Sequence, residues 1–326
     1  MKLIVLTLAV STAALAQNTQ RVYTFSSVSA PSSFAEVANI FRVVADTKDI
    51  TVNVQAKTVT AGGTASQIAI LDWLAPRLDA TSAAPGIYQV PGTADDVVQI
   101  VNASAAKTPA ALQELVNIAR TAADLNRVFP FNSAMAIVVR GPSDRARMTE
   151  WAVQQLLSPP SASVAEYMLA EDLTRLPSKR VHIYFLRKAT APIQIQEFVN
   201  VVRTAADINR VFPFQQSPSI VARGNDSQME LADWLVRSLD IAPPGTGMVS
   251  HHVQIATPYP DAATEQRVFY FPAGTPSAAL QKVVNQLRSD TGSPRVFPFS
   301  EAAAVVFRGN PTQAAKAEEV VREAQP

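Results

Sequence analysis

The string Arg-Val-Phe-Pro-Phe occurs three times in this chain, at 127–131, 210–214 and 295–299, and its surroundings recur at fixed distances. An Arg-Gly pair begins thirteen positions after each first Arg: Arg140-Gly141, Arg223-Gly224 and Arg308-Gly309. Ten positions before that Arg stand Asn117, Asn200 and Asn285, each followed three residues later by Arg120, Arg203 or Arg288. The same ruler exposes a divergent copy upstream, with Asn39 and Arg42, then Asp49 to Val54 in place of the string, then Gly62-Gly63. Ten residues past the Gly lie Trp73, Trp151 and Trp234, the three tryptophans of the chain, with Glu319 at the corresponding place in the last copy. Gapless agreement of this kind means duplication, so the chain is built from four copies of one small unit.

Each copy reads as strand, helix, strand, strand, helix. The first strand shows in Val181 to Phe185 and Val268 to Phe271, rich in β-branched and aromatic residues. Pro31, Pro109, Pro192 and Pro276 then mark the first helical position, where a missing N–H costs nothing. Leu112, Leu115, Val116 and Ala119, matched by Ile195, Phe198, Val199 and Val202, give an apolar stripe at helical spacing that should face a sheet. Proline inside the next strand cannot donate to a ladder, which predicts a sheet edge there. Three residues after each Gly come Ser66, Asp144, Ser227 and Thr312, read as N-caps of a second helix. The fold class is therefore α+β: four tandem βαββα units, each a small three-stranded sheet covered by two helices.

The expected boundaries are a signal peptide over 1–16, a divergent first repeat over 17–80, and repeats over 94–158, 179–241 and 266–326. The linkers 81–93, 159–178 and 242–265 are rich in Pro, Ser, Ala and Gly. Glu166 to Leu169 and His252 to Ile255 are short runs that could add a strand to the following unit. Export is read from Lys2, the apolar stretch Leu3 to Leu15 and the small-residue pattern Ala14-Leu15-Ala16 before Gln17. That stretch is shorter than the ~20 residues of a membrane span, so no span is expected after cleavage. The absence of cysteine excludes disulfides and thiol chemistry. A net charge of +1 gives no field to attract nucleic acid.

Arg210 to Asp240, with Val-Phe-Pro-Phe, an apolar strand ending Ala222-Arg223-Gly224, and a helix ending Trp234-Leu235-Val236-Arg237-Ser238-Leu239-Asp240, resembles the short periplasmic repeat domain of secretins. Secretins are the outer-membrane pore proteins of type II, type III and type IV pilus machines. The second and fourth copies are similar to it through Ala136 to Gly141 and Ala304 to Gly309, whereas the first has Gly62 in place of the Arg. The resemblance implies a βαββα fold related in shape to KH domains, and side-by-side stacking of such domains into periplasmic rings. Since no segment for a pore barrel follows the fourth copy before Pro326, it further implies periplasmic modules without their channel.

Candidate interface residues are Asn39, Arg42, Asn117, Arg120, Asn200, Arg203, Asn285, Arg288, Trp151 and Trp234. The Asn and Arg residues flank the apolar stripe. They either line a shared interface or, as the spacing favours, let Arg42, Arg120 and Arg203 pair with Asp46, Asp124 and Asp207 four residues on. The tryptophans read as packing residues rather than as sugar or peptide platforms. His251 and His252 point to opposite faces of a strand and cannot close on one metal, and His182 is the one further histidine. No catalytic pair, phosphate loop, dinucleotide fingerprint or Gly-x-x-Gly clamp is present, so neither catalysis, cofactor, metal nor nucleic-acid binding is expected. The expected function is a non-catalytic exported protein, periplasmic or secreted, mediating protein–protein assembly as a scaffold or accessory of a secretin-type secretion or pilus machine. Its expected partners are itself, as a homo-oligomer, and envelope proteins. The alternative is an envelope protein that binds peptidoglycan or polysaccharide through the Trp positions.

Overall fold

The computed structural model describes residues 19–79, 83–170, 178–241, 247–254 and 263–324. The expected signal segment lies outside the described residues. The first unit comprises β1 (Thr19–Thr24), α1 (Pro31–Val44), β2 (Asp49–Asn53), β3 (Thr58–Gly63) and α2 (Ala65–Leu78). In the second, β4 (Gly86–Gln89) precedes β5 (Asp96–Asn102), α3 (Pro109–Thr121), β6 (Arg127–Phe131), β7 (Ala136–Pro142) and α4 (Ser143–Leu157). The third repeats this with β8 (Val164–Met168), β9 (Arg180–Phe185), α5 (Pro192–Ala205), β10 (Arg210–Phe214), β11 (Ser219–Gly224) and α6 (Asp226–Val236). The fourth has β12 (Gly247–Gln254), β13 (Ala263–Tyr270), α7 (Ser277–Thr291), β14 (Val296–Phe299), β15 (Ala304–Gly309) and α8 (Pro311–Ala324).

Every sheet is antiparallel, and the basic order is first strand, third strand, second strand, as in β1-β3-β2. The proline-bearing strands β6, β10 and β14 all lie at sheet edges, where the missing N–H breaks no ladder. In the later three units the linker adds a fourth strand on the opposite edge: β4 on β5, β8 on β9, and β12 on β13. The Glu166 and His252 runs fall in two of these strands, while Ile255 lies outside the described residues.

The second helices start earlier than their Ser, Asp and Thr residues suggest. Their N-caps are Thr64, Pro142 and Asn225, and Asn310 caps α8 in the same way. Thr64, Asn225 and Asn310 each accept from a backbone N–H three residues on, and Gln67, Gln228 and Gln313 fold back onto the cap N–H. This reciprocal box satisfies two orphan donors at once and outcompetes a cap two residues later, leaving Ser66, Ser227 and Thr312 inside the first turn. It also explains the preceding glycine: a Cβ on Gly63 or Gly309 would stand 2.9 Å from the capping Gln Oε1.

The units stack head to tail as alternating sheet and helix layers. Residue alternation along a strand sends one set of side chains to the unit's own helices and the other set to the helices of the unit before. In the second unit Val97, Val101, Val128, Ile137 and Val139 join the core around α3 and α4. Their neighbours Val98, Ile100, Phe131, Ala136 and Val138 join the core around α1 and α2. The third and fourth units repeat the pattern, with Val181, Ile183, Phe214 and Val221, then Val268, Tyr270, Phe299 and Val306, packed into the preceding unit's core. A unit of about 60 residues buries too little surface to be robust alone. Sharing both faces of each internal helix layer increases the apolar area it covers.

Candidate functional site

The three seams between units share one set of contacts, and these decode the five-residue string. Arg, the first Phe and the second Phe occupy alternate positions and face the preceding unit, while Val faces its own helices. Phe131, Phe214 and Phe299 are buried in the core of the unit before. Phe299 meets Phe198 edge to face at 5.0 Å between ring centroids. Phe129, Phe212 and Phe297 pack beside them, partly buried.

Charge follows the same register. Asp46, Asp124 and Asp207 lie just beyond the ends of α1, α3 and α5 with φ of 58°, 58° and 56°, a left-handed turn that Asp tolerates. Each receives the string's Arg from the next unit: Arg127 to Asp46 at 3.6 Å, Arg210 to Asp124 at 3.2 Å, Arg295 to Asp207 at 3.0 Å. The Arg of each Arg-Gly pair reaches the carbonyls at the end of the same helix. Arg140 donates to Val44 O at 3.0 Å, Arg223 to Ala122 O at 3.0 Å and Arg308 to Ala205 O at 2.7 Å. A cation here satisfies a free carbonyl and meets the negative end of the helix dipole. Burial lowers the Arg223 and Arg308 guanidinium pKa values to about 10, with Arg210 and Arg295 adding repulsion, so both stay charged at neutral pH. Arg308 is 1% exposed, and the cost of desolvating it is offset by Ala205 O and by Asp207 at 3.3 Å.

A third contact starts from the middle of the first helix. Glu36, Glu114 and Glu197 accept from the loop after the next unit's string, through Ser133 N, Gln215 N and Ser300 N respectively. Glu36 also takes Asn132 Nδ2, and Glu197 takes Ser300 Oγ. Burial raises the Glu114 carboxyl above its usual range, against the hydrogen bond from Gln215.

The expected pairing of Arg42, Arg120 and Arg203 with the aspartates four residues on is not what the structure shows. Arg120, Arg203 and Arg288 donate to the carbonyls of Val128, Val211 and Val296 in their own unit's edge strand. Arg42 donates to Asn39 Oδ1. The helices end before the aspartates, so the helical spacing that would bring the pairs together does not apply. Asn117, Asn200 and Asn285 accept from Gln113, Gln196 and Gln281 on their own helices.

Each tryptophan is half-buried and packs against a ring from the next unit's added strand. Trp73 meets Tyr88 at 5.5 Å, Trp151 meets Tyr167 at 5.2 Å, and Trp234 lies 14° from parallel over His251 at 5.2 Å. The acidic residue before each Trp reaches the unit's own first strand: Asp72 to Arg21, Glu150 to Gln99 and Asp233 to His182, with Glu318 to Arg267 in the fourth unit. His182 is buried beside Asp233 and Tyr184, whose hydroxyl donates to Asp233 at 2.7 Å. Burial and the Asp233 charge push that phenol far above its usual range. Among the described residues no three His, Asp or Glu side chains gather as a metal site. No helix among them is long and apolar enough to cross a membrane. A cleft of about 550 Å³ opens at the second seam, where Lys107 is the charged residue of its lining.

Neither a protein-family model nor a curated protein matches this chain. Solved structures that it is similar to include ExeD of Aeromonas hydrophila, at 16% identity over 72% of this chain and 43% of that one, with a TM-score of 0.17. The type II secretion system secretin GspD of E. coli K12 follows at 13% identity over 90% and 59%, with a TM-score of 0.16. The N-terminal domain of the secretin XcpQ from Pseudomonas aeruginosa gives 11% identity over 69% and 100%, with a TM-score of 0.24. This chain thus spans about half the length of the longer secretin chains it matches.

Proposed function

We propose that this chain is an exported, non-catalytic assembly protein, a rigid array of four stacked units that holds protein partners of a secretin-type envelope machine. The observation that supports this most is the use of its recurring polar residues. Arg140, Arg223, Arg308 and the glutamates of the first helices are spent on unit-to-unit contacts rather than turned toward a pocket. A stack of this kind fixes distances between surfaces far apart in sequence, which is what a scaffold must do. Partner contact belongs on the free sheet edges β4, β8 and β12. Those edges carry no proline, and Ile87, Met168 and Met248 on them are exposed. An extended segment could pair there by strand addition.

The test is photo-crosslinking in the native host from single sites at Ile87, Met168 and Met248, with Val52 on the outer sheet as reference. Adducts with a secretin or its accessory proteins at the three edge sites, identified by mass spectrometry, are the expected result. Equal labelling from Val52, or adducts with glycan instead of protein, would overturn the reading.

A further inference from the structure

We infer that the first and fourth units are terminators of the stack, and that the residues replacing the seam set at the two outer faces prevent one copy of the chain from continuing the array of another. At the outer face of the first sheet, the positions that carry Arg127, Phe129 and Phe131 in the second unit hold Asp49, Thr51 and Asn53. Across the same face, Val98 and Val138 have become Gln20 and Thr60, and Arg140 has become Gly62, which the register β1-β3-β2 places side by side. Asp49 and Thr51 are exposed, and Val22 is the apolar survivor on that face, 61% exposed. A helix layer brought against this sheet would find no aromatic anchor, and any aspartate at its end would meet Asp49 where the internal seams offer Arg.

The opposite face is altered in the complementary positions. Glu36, Glu114 and Glu197 correspond to Lys282, which reverses the charge that accepts the loop N–H groups. Ile40, Ile118 and Val201, buried at the three seams, correspond to the exposed Gln286. Val44, Ala122 and Ala205 correspond to exposed Asp290, and the turn aspartates correspond to Gly292 at φ 70°. Where Trp73, Trp151 and Trp234 pack on a ring of the next strand, α8 presents exposed Glu319. Between them the two outer faces lose every contact class of the seam: the ion pair, the carboxylate on the loop, the apolar layer and the ring pair. Repeat arrays need polar outer faces on their terminal units to stay soluble, and these substitutions meet that need while also forbidding end-to-end growth. The inference concerns the end faces alone and holds whatever partner the edges β4, β8 and β12 bind.

Because the chain has no cysteine, engineered pairs report on it cleanly. In the full-length protein, Glu36→Cys with Ser133→Cys places thiols at an internal seam, where these residues already touch. Gln55→Cys with Lys282→Cys places thiols where the same contact would form between two copies stacked end to end. A short bis-maleimide should close the first pair within one chain and leave the second pair as single chains at the highest attainable concentration. Sedimentation of the unmodified protein should show no open series of oligomers. A ladder of multimers that forms only when both substitutions of the second pair are present would overturn the inference, as would failure of the internal control pair to close.

Discussion

At the residue scale, two kinds of charged group hold this molecule together in different ways. Arg308 is buried at a seam and bonded to Ala205 O and Asp207, so Arg308→Ala should cost roughly 2 to 3 kcal/mol in denaturant unfolding. Arg308→Lys should recover part of that, since a point charge replaces a planar fork. Gly62→Arg, at the equivalent position with no helix end to meet, should change stability by less than about 0.5 kcal/mol. Asp79 acts within one unit: its carboxylate accepts from Ser26 N, Ser27 N and Val28 N. Burial opposes its ionisation, but those bonds outweigh it and hold the carboxyl below its usual range. A folded-state pKa depressed in this way contributes stability that is present above the unfolded value of 3.8 and lost as pH falls through the folded value. Asp79→Asn should therefore lower the urea midpoint at neutral pH and flatten its decline toward about pH 3. None of the seam pairs could be read from spacing, because the partners lie 81 to 88 residues apart and the aspartates sit past the helix ends, where the i, i+4 rule fails.

At the element scale, the second helices test which residue is the cap. Thr64→Ala, Asn225→Ala and Asn310→Ala should each cost about 1 kcal/mol, whereas Ser66→Ala and Ser227→Ala should cost a few tenths at most. Thermal melts of the five variants decide it, and equal effects would return the cap to the later position. The first helices behaved as their prolines and stripes predicted, with Pro31, Pro109 and Pro192 each at the first helical residue and Pro276 one place earlier, as the cap of α7. The edge placement of the proline strands followed from backbone chemistry alone. Of the added strands, β8 and β12 show in the sequence as the Glu166 and His252 runs, whereas β4, four residues of mixed polarity, does not; it is a strand because β5 offers a free edge and Trp73 offers a ring to Tyr88.

At the scale of the whole molecule, each internal helix layer is shared by two sheets, so the units should not unfold independently. Unfolding in denaturant is expected to be a single transition with a slope set by the full chain. Phe299→Ala removes the anchor of the last seam from the third unit's core and should cost roughly 3 to 5 kcal/mol. It should also split the transition, with the fourth unit melting first, as followed by hydrogen exchange in α7 and α8. Two transitions in the unmodified protein would show that the seams couple less than their burial suggests. The four copies, the order of elements within each, and the sheet edges were determined by the sequence itself, because they depend on local periodicity, proline and turn chemistry repeated at fixed spacing. The stacking of the units, and with it the role of every Arg, Asp, Glu and Trp at the seams, was decided by tertiary structure. Those side chains act across layers, and alternation along a strand says that two faces exist without saying what covers the second.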